Sequence, residues 1–580
     1  MKVLLIHSED DPENGPWASL PWDRVVDLGL GGKNSYARWS RQFRCAVTNL
    51  NALRHGFDDF RRIRDLLGLG CGRLIDEYGL DWWEIMSLLL HGEMEILILL
   101  QRFAQTVSSG DEVYVTRPGL HANLLRGLLA AQLNVFPAGR GAQKGGLRHY
   151  IRRASRLSAS QMTDVFWDKY DAGYQFRGRL GRKRRPSARP VVLLPTAYVN
   201  VSRTGIAYAN SFPEENFLLV TTRKSGWVRN TPRNVTAAWL SSYACVRDRS
   251  DENAAMGDHW RSLLDELCRA EEFEILNRLG YLDSFPRWFR HGLEVRDAWR
   301  NVLDNEPVQG VLCADDSNPY TRIPLLLARE RGLPNVACHH GALDCRYVFK
   351  RSYGDVIWAK GTMEEDYLVR VCGAPQEKVE IGAPALPANW KHSASQAFRP
   401  YLLFLSEACE VSGGRAEEFY RDVLPQLADL ALATGRELIV KLHPAESKNE
   451  RARLLARVLS IEQKRSARIV DGPLTEDLLE KAWFGITITS TVAMECAIRG
   501  IPCFLCKWLE FWPYGYIEQF NRFGVGRSLN DPSEIDKIPE YLQQHAVRAD
   551  VSATCWQPAA AGRLRQLLTT PREAYITATR

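Results

Sequence analysis

The residues of this chain best suited to gripping a phosphate fall in two short clusters, Lys441-Leu442-His443-Pro444 and Thr489-Ser490-Thr491-Val492-Ala493-Met494-Glu495. Each follows an apolar run and precedes a helical pattern. In an open parallel sheet such strand ends share one rim, where ligands bind. Thr489 and Ser490 are natural N-caps for a helix over 491–499, closed by Gly500 and followed by Pro502. The first turn of that helix would offer free N–H groups and the positive dipole end to a phosphate. Glu495 lies four residues beyond Thr491, on the same helix face, where its carboxylate can accept two ribose hydroxyls. Plain capping, with Glu495 paired to a cation, is the other use these residues have. His443 follows a strand pattern at 438–442 and precedes Pro444, which stops the strand. Lys441 and His443 alternate to the same face, giving two phosphate donors.

Three further strand ends carry candidate chemistry. The loop 406–415 ends in Gly413-Gly414-Arg415, where backbone amides can approach a phosphate and a guanidinium can grip it bidentately. After a strand pattern at 308–312 comes Asp315-Asp316-Ser317-Asn318, and after one at 335–338 comes His339-His340-Gly341. Adjacent carboxylates repel, which raises one pKa, so Asp316 or Asp315 is a candidate general base, with His340 as the alternative. Helix capping before Pro319 is the competing use of the aspartates. No Asp-x-Asp, His-Glu-x-x-His or Walker pattern occurs in the chain. The expectation is a metal-independent site without a cofactor, its leaving phosphate neutralised by helix dipole, Lys441, His443 and Arg415.

These clusters need a scaffold. At 580 residues the chain exceeds a single core, and about three or four domains are expected. With 45% hydrophobic and 25% charged residues, the composition excludes a disordered or fibrous chain. Residues 1–7 read as a β-strand rather than an export signal. The apolar stretch 86–103 is broken by His91, Glu93, Glu95 and Gln101, so it reads as a helix, not a membrane span. The expected location is therefore cytoplasmic. Thirteen scattered cysteines read as reduced thiols. Cys503-x-x-Cys506 lies in an apolar strand run with no second such pair, which argues against zinc. The glycine clusters at 29–32 and 68–72 do not link a strand to a helix in the dinucleotide manner and read as turns.

Residues 1–136 form an α/β segment, with strands at 3–6 and 112–115 and a helix over 80–103. Residues 137–189 hold fourteen Lys and Arg against three Asp, a net +11 in a chain whose total is +6, so the remainder sums to −5. This basic linker predicts peripheral association with an anionic membrane surface. Nucleic acid is not expected, because no nucleic-acid-binding signature accompanies the charge. In 190–390, strands at 191–194, 217–220, 308–313, 335–338 and 355–358 alternate with helical patterns at 250–279 and 287–304. In 398–580 the strands are 401–405, 437–442, 467–470, 485–488 and 501–505, followed by a helical tail. The α/β architecture predicted is two Rossmann-like parallel-sheet domains facing a cleft, with an additional N-terminal segment.

His340-Gly341, residues 355–361 and residues 377–384 together resemble the second half of the N-terminal domain in GT-B-type capsule and surface-polysaccharide transferases. Lys441-Leu442-His443-Pro444 and Ser490-Thr491 resemble the HP and Ser/Thr motifs of bacterial sialyltransferases, polysialyltransferases, capsule Kdo transferases and teichoic-acid glycerophosphotransferases. The pattern from Ser490 through Glu495 and Gly500 to Pro502 is similar to nucleotide-binding segments across GT-B enzymes. The resemblance implies that His443, Ser490 and Thr491 hold the donor phosphate and Glu495 the ribose. It implies a base near Asp315-Asp316-Ser317, the nearest match to an acidic D/E-D-G motif, with Ser317 where that motif has Gly. The implied activity is transfer of a sugar from a nucleotide-activated donor to a polysaccharide or glycolipid acceptor. A nucleotide-sugar 2-epimerase and a non-catalytic nucleotide- or glycan-binding protein are the alternatives.

Overall fold

The computed structural model describes residues 1–136, 186–245, 247–283, 285–386, 398–407, 414–472, 474–509, 514–544 and 552–569. The basic stretch 137–185 and Gly413 lie outside the described residues. Among the described residues eighteen strands, all parallel, build three sheets. Parallel strands need a crossover between neighbours and both faces covered, so their sequences are apolar runs rather than alternating ones.

The first sheet has the order β3-β2-β1-β4-β5, from β1 (Lys2–Ile6), β2 (Arg24–Asp27), β3 (Ala46–Asn49), β4 (Glu112–Val115) and β5 (Gln132–Val135). The second runs β12-β11-β10-β9-β6-β7-β8. It is built from β6 (Val191–Thr196), β7 (Phe217–Thr221), β8 (Val235–Trp239), β9 (Val308–Cys313), β10 (Asn335–Cys338), β11 (Val356–Ala359) and β12 (Val379–Ile381). The third runs β15-β14-β13-β16-β17-β18, from β13 (Tyr401–Leu405), β14 (Glu437–Lys441), β15 (Ala467–Val470), β16 (Ala482–Thr487), β17 (Cys503–Cys506) and β18 (Arg527–Leu529). The fold is thus α/β and Rossmann-like, as the strand patterns predicted. The helical pattern at 250–279 is two helices, Ser250–Leu267 and Glu271–Arg278. Among the described residues no helix is long and apolar enough to cross a membrane.

Compactness divides the chain differently from the linear segments expected from sequence. One unit collects the described residues of Met1–Phe57, Leu99–Ala142 and Pro387–Trp556; the other collects those of Asp58–Ile98, Gln143–Leu386 and Gln557–Arg580. In the second unit, Val192, Leu194, Leu219, Leu312, Val336 and Trp358 form a core with Tyr208 and Phe212. Leu564 and Leu567 of the helix Arg563–Thr569 join that core. The C-terminal tail, expected to stay with the 398–545 segment, therefore packs on the β6–β12 sheet, where Pro558 also bridges Ala383. Part of the N-terminal segment belongs there too: Trp83 stacks on Trp260 at 6.2 Å, and buried Arg296 reaches Asp76 at 2.8 Å.

The remaining N-terminal residues pack in the first unit, on the third sheet. Leu4, Ile6, Trp17, Trp22, Val25 and Trp39 make their core. The joint is polar and closed. Leu30 bridges Gly414, and the Arg415 guanidinium lies 2.8 Å from Asp27, with further bonds to the carbonyls of His7 and Asp10. Both side chains are almost fully buried, at 7% and 1% exposure. Arg38 adds a bond to Glu418 on the helix Ala416–Ala433. Arg415, read from sequence as a phosphate grip, is thus committed inside this joint, and Gly414 serves as a backbone bridge. With the Asp27 carboxylate and the carbonyls of His7 and Asp10 on its Nε, Nη1 and Nη2, the guanidinium has at most one of its five N–H donors left for a ligand.

Removing one partner of such a pair leaves an uncompensated buried charge. Arg415→Met is expected to cost about 3–5 kcal/mol of stability in urea unfolding, and adding Asp27→Asn to recover a substantial part of it. Equal loss in the single and double variants would assign the cost to packing alone.

Candidate functional site

Central in the third sheet, β13 is flanked by β14 and β16. At a spacing of 4.7–4.9 Å per strand, the ends of β14 and β16 stand roughly 10 Å apart on one edge. His443 follows β14 and Ser490 follows β16, so that edge carries both clusters. Two carboxylates fix the loops, and both are tied to the dipeptide Ser406-Glu407 that ends β13.

The first is Glu407. Its Oε1 accepts hydrogen bonds from Thr487 Oγ1 (2.8 Å), Ile488 N (3.1 Å) and Thr489 N (2.6 Å), and its Oε2 accepts from Thr489 Oγ1 (3.1 Å). These four donors define the turn that leads β16 into Ser490. Burial pushes the Glu407 carboxyl up, and the same hydrogen bonds oppose that shift. The second is Glu446. Its Oε2 accepts from His443 N (2.7 Å), while its Oε1 meets Ser406 Oγ (2.8 Å) and Arg451 Nε (2.7 Å).

His443 stands exposed on the edge. The amide of Ala445 donates to its Nδ1 at 3.1 Å. In a neutral ring this places the proton on Nε2, which becomes an outward hydrogen-bond donor. Burial of part of the ring and the nearby Lys441 charge hold its pKa below 6.5, against the pull of Glu446. Lys441 itself is 7% exposed, and its Nζ donates to the carbonyl of Leu442 at 2.6 Å. Burial lowers its pKa, and Glu446, Asp471 and Glu495 oppose that.

The helix beyond β16 is Val492–Ile498, shorter than the 491–499 expected. Thr489 and Ser490 do not cap it in the predicted way. Thr491 occupies the cap position with helical dihedrals and no side-chain bond, while Ser490 Oγ accepts from Val492 N at 3.3 Å. Gly500 takes the left-handed conformation, φ +66°, that ends the helix. Glu495 is half-buried, and burial raises its pKa against the charges of Arg499 and Lys441.

In the second unit the carboxyl ends of β9 and β10 bring Asp315, His339 and His340 together. Asp316 is not part of this group. Only 1% exposed, it is bonded to Lys350 Nζ at 2.5 Å and faces Arg322 at 3.4 Å. The two aspartates therefore do not form a repelling pair at the surface. Asp315 Oδ1 caps Ser317 N at 3.0 Å, and its Oδ2 lies 3.9 Å from His340 Nδ1. The His340 side chain keeps 26% exposure, and burial holds its pKa below 6.5 with Asp315 opposing. Lys360 fixes the loop by donating to the carbonyls of His339 (2.6 Å) and Gly341 (2.8 Å).

One ligand atom each from Asp315, His339 and His340 lies within 4.8 Å of the others, which brings together residues the sequence offered on two separate strand ends. Gly341 N donates to Nδ1 of His339 at 3.1 Å, so in the neutral ring Nε2 carries the proton and points toward Asp344 Oδ2 at 3.8 Å. Neither nitrogen of that ring then offers a lone pair to a cation. Arg346 already lies 3.8 Å from Asp315.

No family model matches the chain, and no curated protein does. Among solved structures, the UDP-GlcNAc 2-epimerase of Methanocaldococcus jannaschii aligns with 66% of this chain and 99% of its own, at 11% identity and a TM-score of 0.40. The Neisseria meningitidis UDP-GlcNAc 2-epimerase bound to UDP-GlcNAc covers 63% and 95%, at 13% identity and 0.38. A glycosyltransferase of Rickettsia africae covers 67% and 93%, at 10% identity and 0.36. Likenesses of this size carry no argument about activity.

The Glu407 carboxylate has its own consequence. Glu407→Ala frees four donors and is expected to expose the amides of 487–490 to hydrogen exchange, while Glu407→Gln, which keeps the acceptor oxygen, protects them nearly as in the parent. Unchanged exchange in Glu407→Ala would remove its role in shaping the turn.

Proposed function

We propose that the protein is a glycosyltransferase that moves a sugar from a nucleotide-activated donor to a surface polysaccharide or glycolipid acceptor. The observation that carries this reading is the edge beside β13. There a neutral imidazole N–H, a serine and a threonine hydroxyl and a short helix start are held in place by Glu407 and Glu446. An exposed N–H donor that needs no net charge suits a phosphate that gains charge as the glycosidic bond breaks. His443 Nε2, Ser490 and Thr491 would bind the donor phosphate, Glu495 would accept the ribose hydroxyls, and Lys441 would add positive potential from beneath.

On the β9–β10 edge the acceptor hydroxyl would give its proton to His340, oriented by Asp315 in the manner of a carboxylate–imidazole pair. The 3.9 Å separation is long for a hydrogen bond, as catalytic contacts often are before substrate arrives. Asp316, enclosed by Lys350 and Arg322, takes a structural part instead. The proposed chemistry needs no cofactor, the nucleotide-sugar being a co-substrate. Contact with an anionic membrane through 137–189 and a place on its cytoplasmic side remain part of the proposal.

Two measurements test it. His443→Ala is expected to abolish transfer, by at least two orders of magnitude, while shifting thermal unfolding by no more than a degree or two, because the ring is exposed. Interconversion of nucleotide sugars without an acceptor would replace transfer by epimerisation. The second is the pH profile. Burial lowers the His340 pKa, so the ring stays neutral and active as a base down to values under 6.5. The acid limb of kcat/KM is expected below that value, where the ring takes up a proton, and to vanish in His340→Gln along with most of the rate. An unchanged acid limb in that variant would move the base elsewhere.

A further inference from the structure

The amino ends of β15, β14, β13 and β16 lie side by side on the edge of the third sheet opposite the candidate phosphate site. Among the described residues seven large hydrophobic side chains stand exposed, and three of them precede these strands. They are Ile461 before β15 (77% exposed), Leu432 before β14 (41%) and Phe398 before β13 (63%). Trp483, the second residue of β16, is half-buried. Arg436 joins two of these rings: its guanidinium lies 4.6 Å from Phe398 and 3.7 Å from Trp483. Its Nε donates to the carbonyl of Arg399 (3.0 Å) and its Nη1 to that of Thr434 (3.2 Å). At the other end, Gln463 Nε2 donates to Asp429 Oδ1 (2.8 Å) and ties the helix Ile461–Arg465 to the helix that carries Leu432. Four strand starts span roughly 14 Å, so these side chains make one band.

The band is held by its backbone. Ser460 and Gln463 form a capping box, each side chain accepting from the other's amide (3.2 and 2.9 Å), which fixes Ile461 at the first position of its helix. Arg436 N donates to the carbonyl of Ala431 at 2.9 Å and fixes the turn after Leu432. The charge along the band is positive. Residues 398–400, 434–436 and 460–466 hold four basic residues, Arg399, Arg436, Lys464 and Arg465, against one carboxylate, Glu462. Of the carboxylates near by, Glu437 is paired with Arg468 (2.7 Å), Asp477 with Lys481 (2.6 Å), and Asp429 accepts from Gln463, which leaves Glu480 beside Lys481. Among the described residues Arg436, Lys464 and Arg465 have no ion-pair partner, and the last two are exposed.

We infer that this band is a membrane-docking face, with Phe398, Leu432 and Ile461 immersed among the head groups of an anionic lipid surface and Arg436, Lys464 and Arg465 against the lipid phosphates. The face is separate in sequence from the basic stretch 137–189, and the inference does not need the transferase reading. Large apolar side chains flanked by cations suit a fluid interface, which takes them up without a matching recess, and a ring such as that of Trp483 sits at head-group depth. Immersing one such side chain strengthens binding about tenfold or more, and one cation about fivefold. A strand of five residues is roughly 16 Å long, so docking by the amino ends leaves the edge with His443 and Ser490 turned to the aqueous side.

The experiment is co-sedimentation of the full chain with vesicles of phosphatidylcholine, alone or with about 30% phosphatidylglycerol, at 50 and 300 mM salt. Binding is expected on the anionic vesicles, at least tenfold weaker on the neutral ones and several-fold weaker at the higher salt. The double variants Phe398→Ser/Ile461→Ser and Lys464→Glu/Arg465→Glu should each weaken it at least tenfold. Their thermal unfolding should stay near that of the parent, because all four side chains are exposed. Hydrogen exchange in 398–400, 432–436 and 460–466 should slow on the anionic vesicles. No binding to anionic vesicles, undiminished binding in either variant, or unchanged exchange in these three segments would each overturn the inference; undiminished binding assigns the contact to another part of the chain. Self-association in sedimentation velocity that the apolar variant abolishes would also overturn it, making the face an interface between copies. Equal binding of poly-L-glutamate would do the same, making the occupant an acidic protein.

Discussion

The geometry of the β13 edge depends on one half-buried carboxylate. Glu407 gathers two backbone amides and two threonine hydroxyls from the end of β16, and its neighbour Ser406 reaches Glu446, which holds the backbone of His443. Consecutive residues of the central strand thus fix loops on both flanking strands. A parallel sheet aligns its strand ends but leaves the loops beyond them free; without such ties their side chains would sample many rotamers, each costing entropy to order on binding. The carboxylate supplies that ordering before any ligand arrives. Burial penalises its charge, and four hydrogen bonds offset the penalty, a balance that an apolar residue does not reproduce.

The N-terminal residues bear on this edge through the same loop. Glu407 opens it and Arg415 closes it, and Arg415 is buried against Asp27 of β2 and the carbonyls beyond β1. The first sheet therefore anchors the far end of the loop whose near end organises the turn before Ser490. A buried ion pair is weak as a source of net stability, because desolvating both ions offsets their attraction. Its use here is registry. Only one docking of the first sheet on the third pairs Arg415 with Asp27 while also placing Arg38 on Glu418 and Leu30 on Gly414.

What could be read from the sequence follows the range of the interactions involved. β9, β10, β13 and β15 were legible to the residue, since each is an apolar run bounded by turn formers. β2, β3, β5 and β8 were not. They are four or five residues long, with polar or weakly apolar positions, and only pairing with distant strands makes them strands at all. The same limit governs the site. His443, Ser490 and Glu495 stood out because strand, turn and helix signals adjoin them. Choosing between Asp315 and Asp316 required Lys350, thirty-four residues away in sequence, and the fate of Arg415 required Asp27, 388 residues away. Glu407 carried one local signal, a carboxylate two residues past an apolar central strand, and that signal acquires meaning only beside the end of β16.

Charge is handled differently on the two edges. His443 is held neutral with its Nδ1 occupied by Ala445, so it offers a proton donor outward. His340 is also held neutral, but its Nδ1 faces Asp315, and a proton there leaves Nε2 as an acceptor. In the proposed reaction one imidazole would donate a hydrogen bond and the other would accept a proton, supported by a backbone amide in one case and a carboxylate in the other. Exchanging the two supports would exchange the tautomers. A backbone N–H cannot stabilise an imidazolium, whereas a carboxylate can; at His340 that carboxylate, Asp315, faces Nδ1 itself, while at His443 the pull of Glu446 acts on a ring whose Nδ1 meets a backbone amide. Transfer of a sugar calls for both behaviours, a donor where negative charge accumulates on the departing phosphate and an acceptor where the attacking hydroxyl loses its proton.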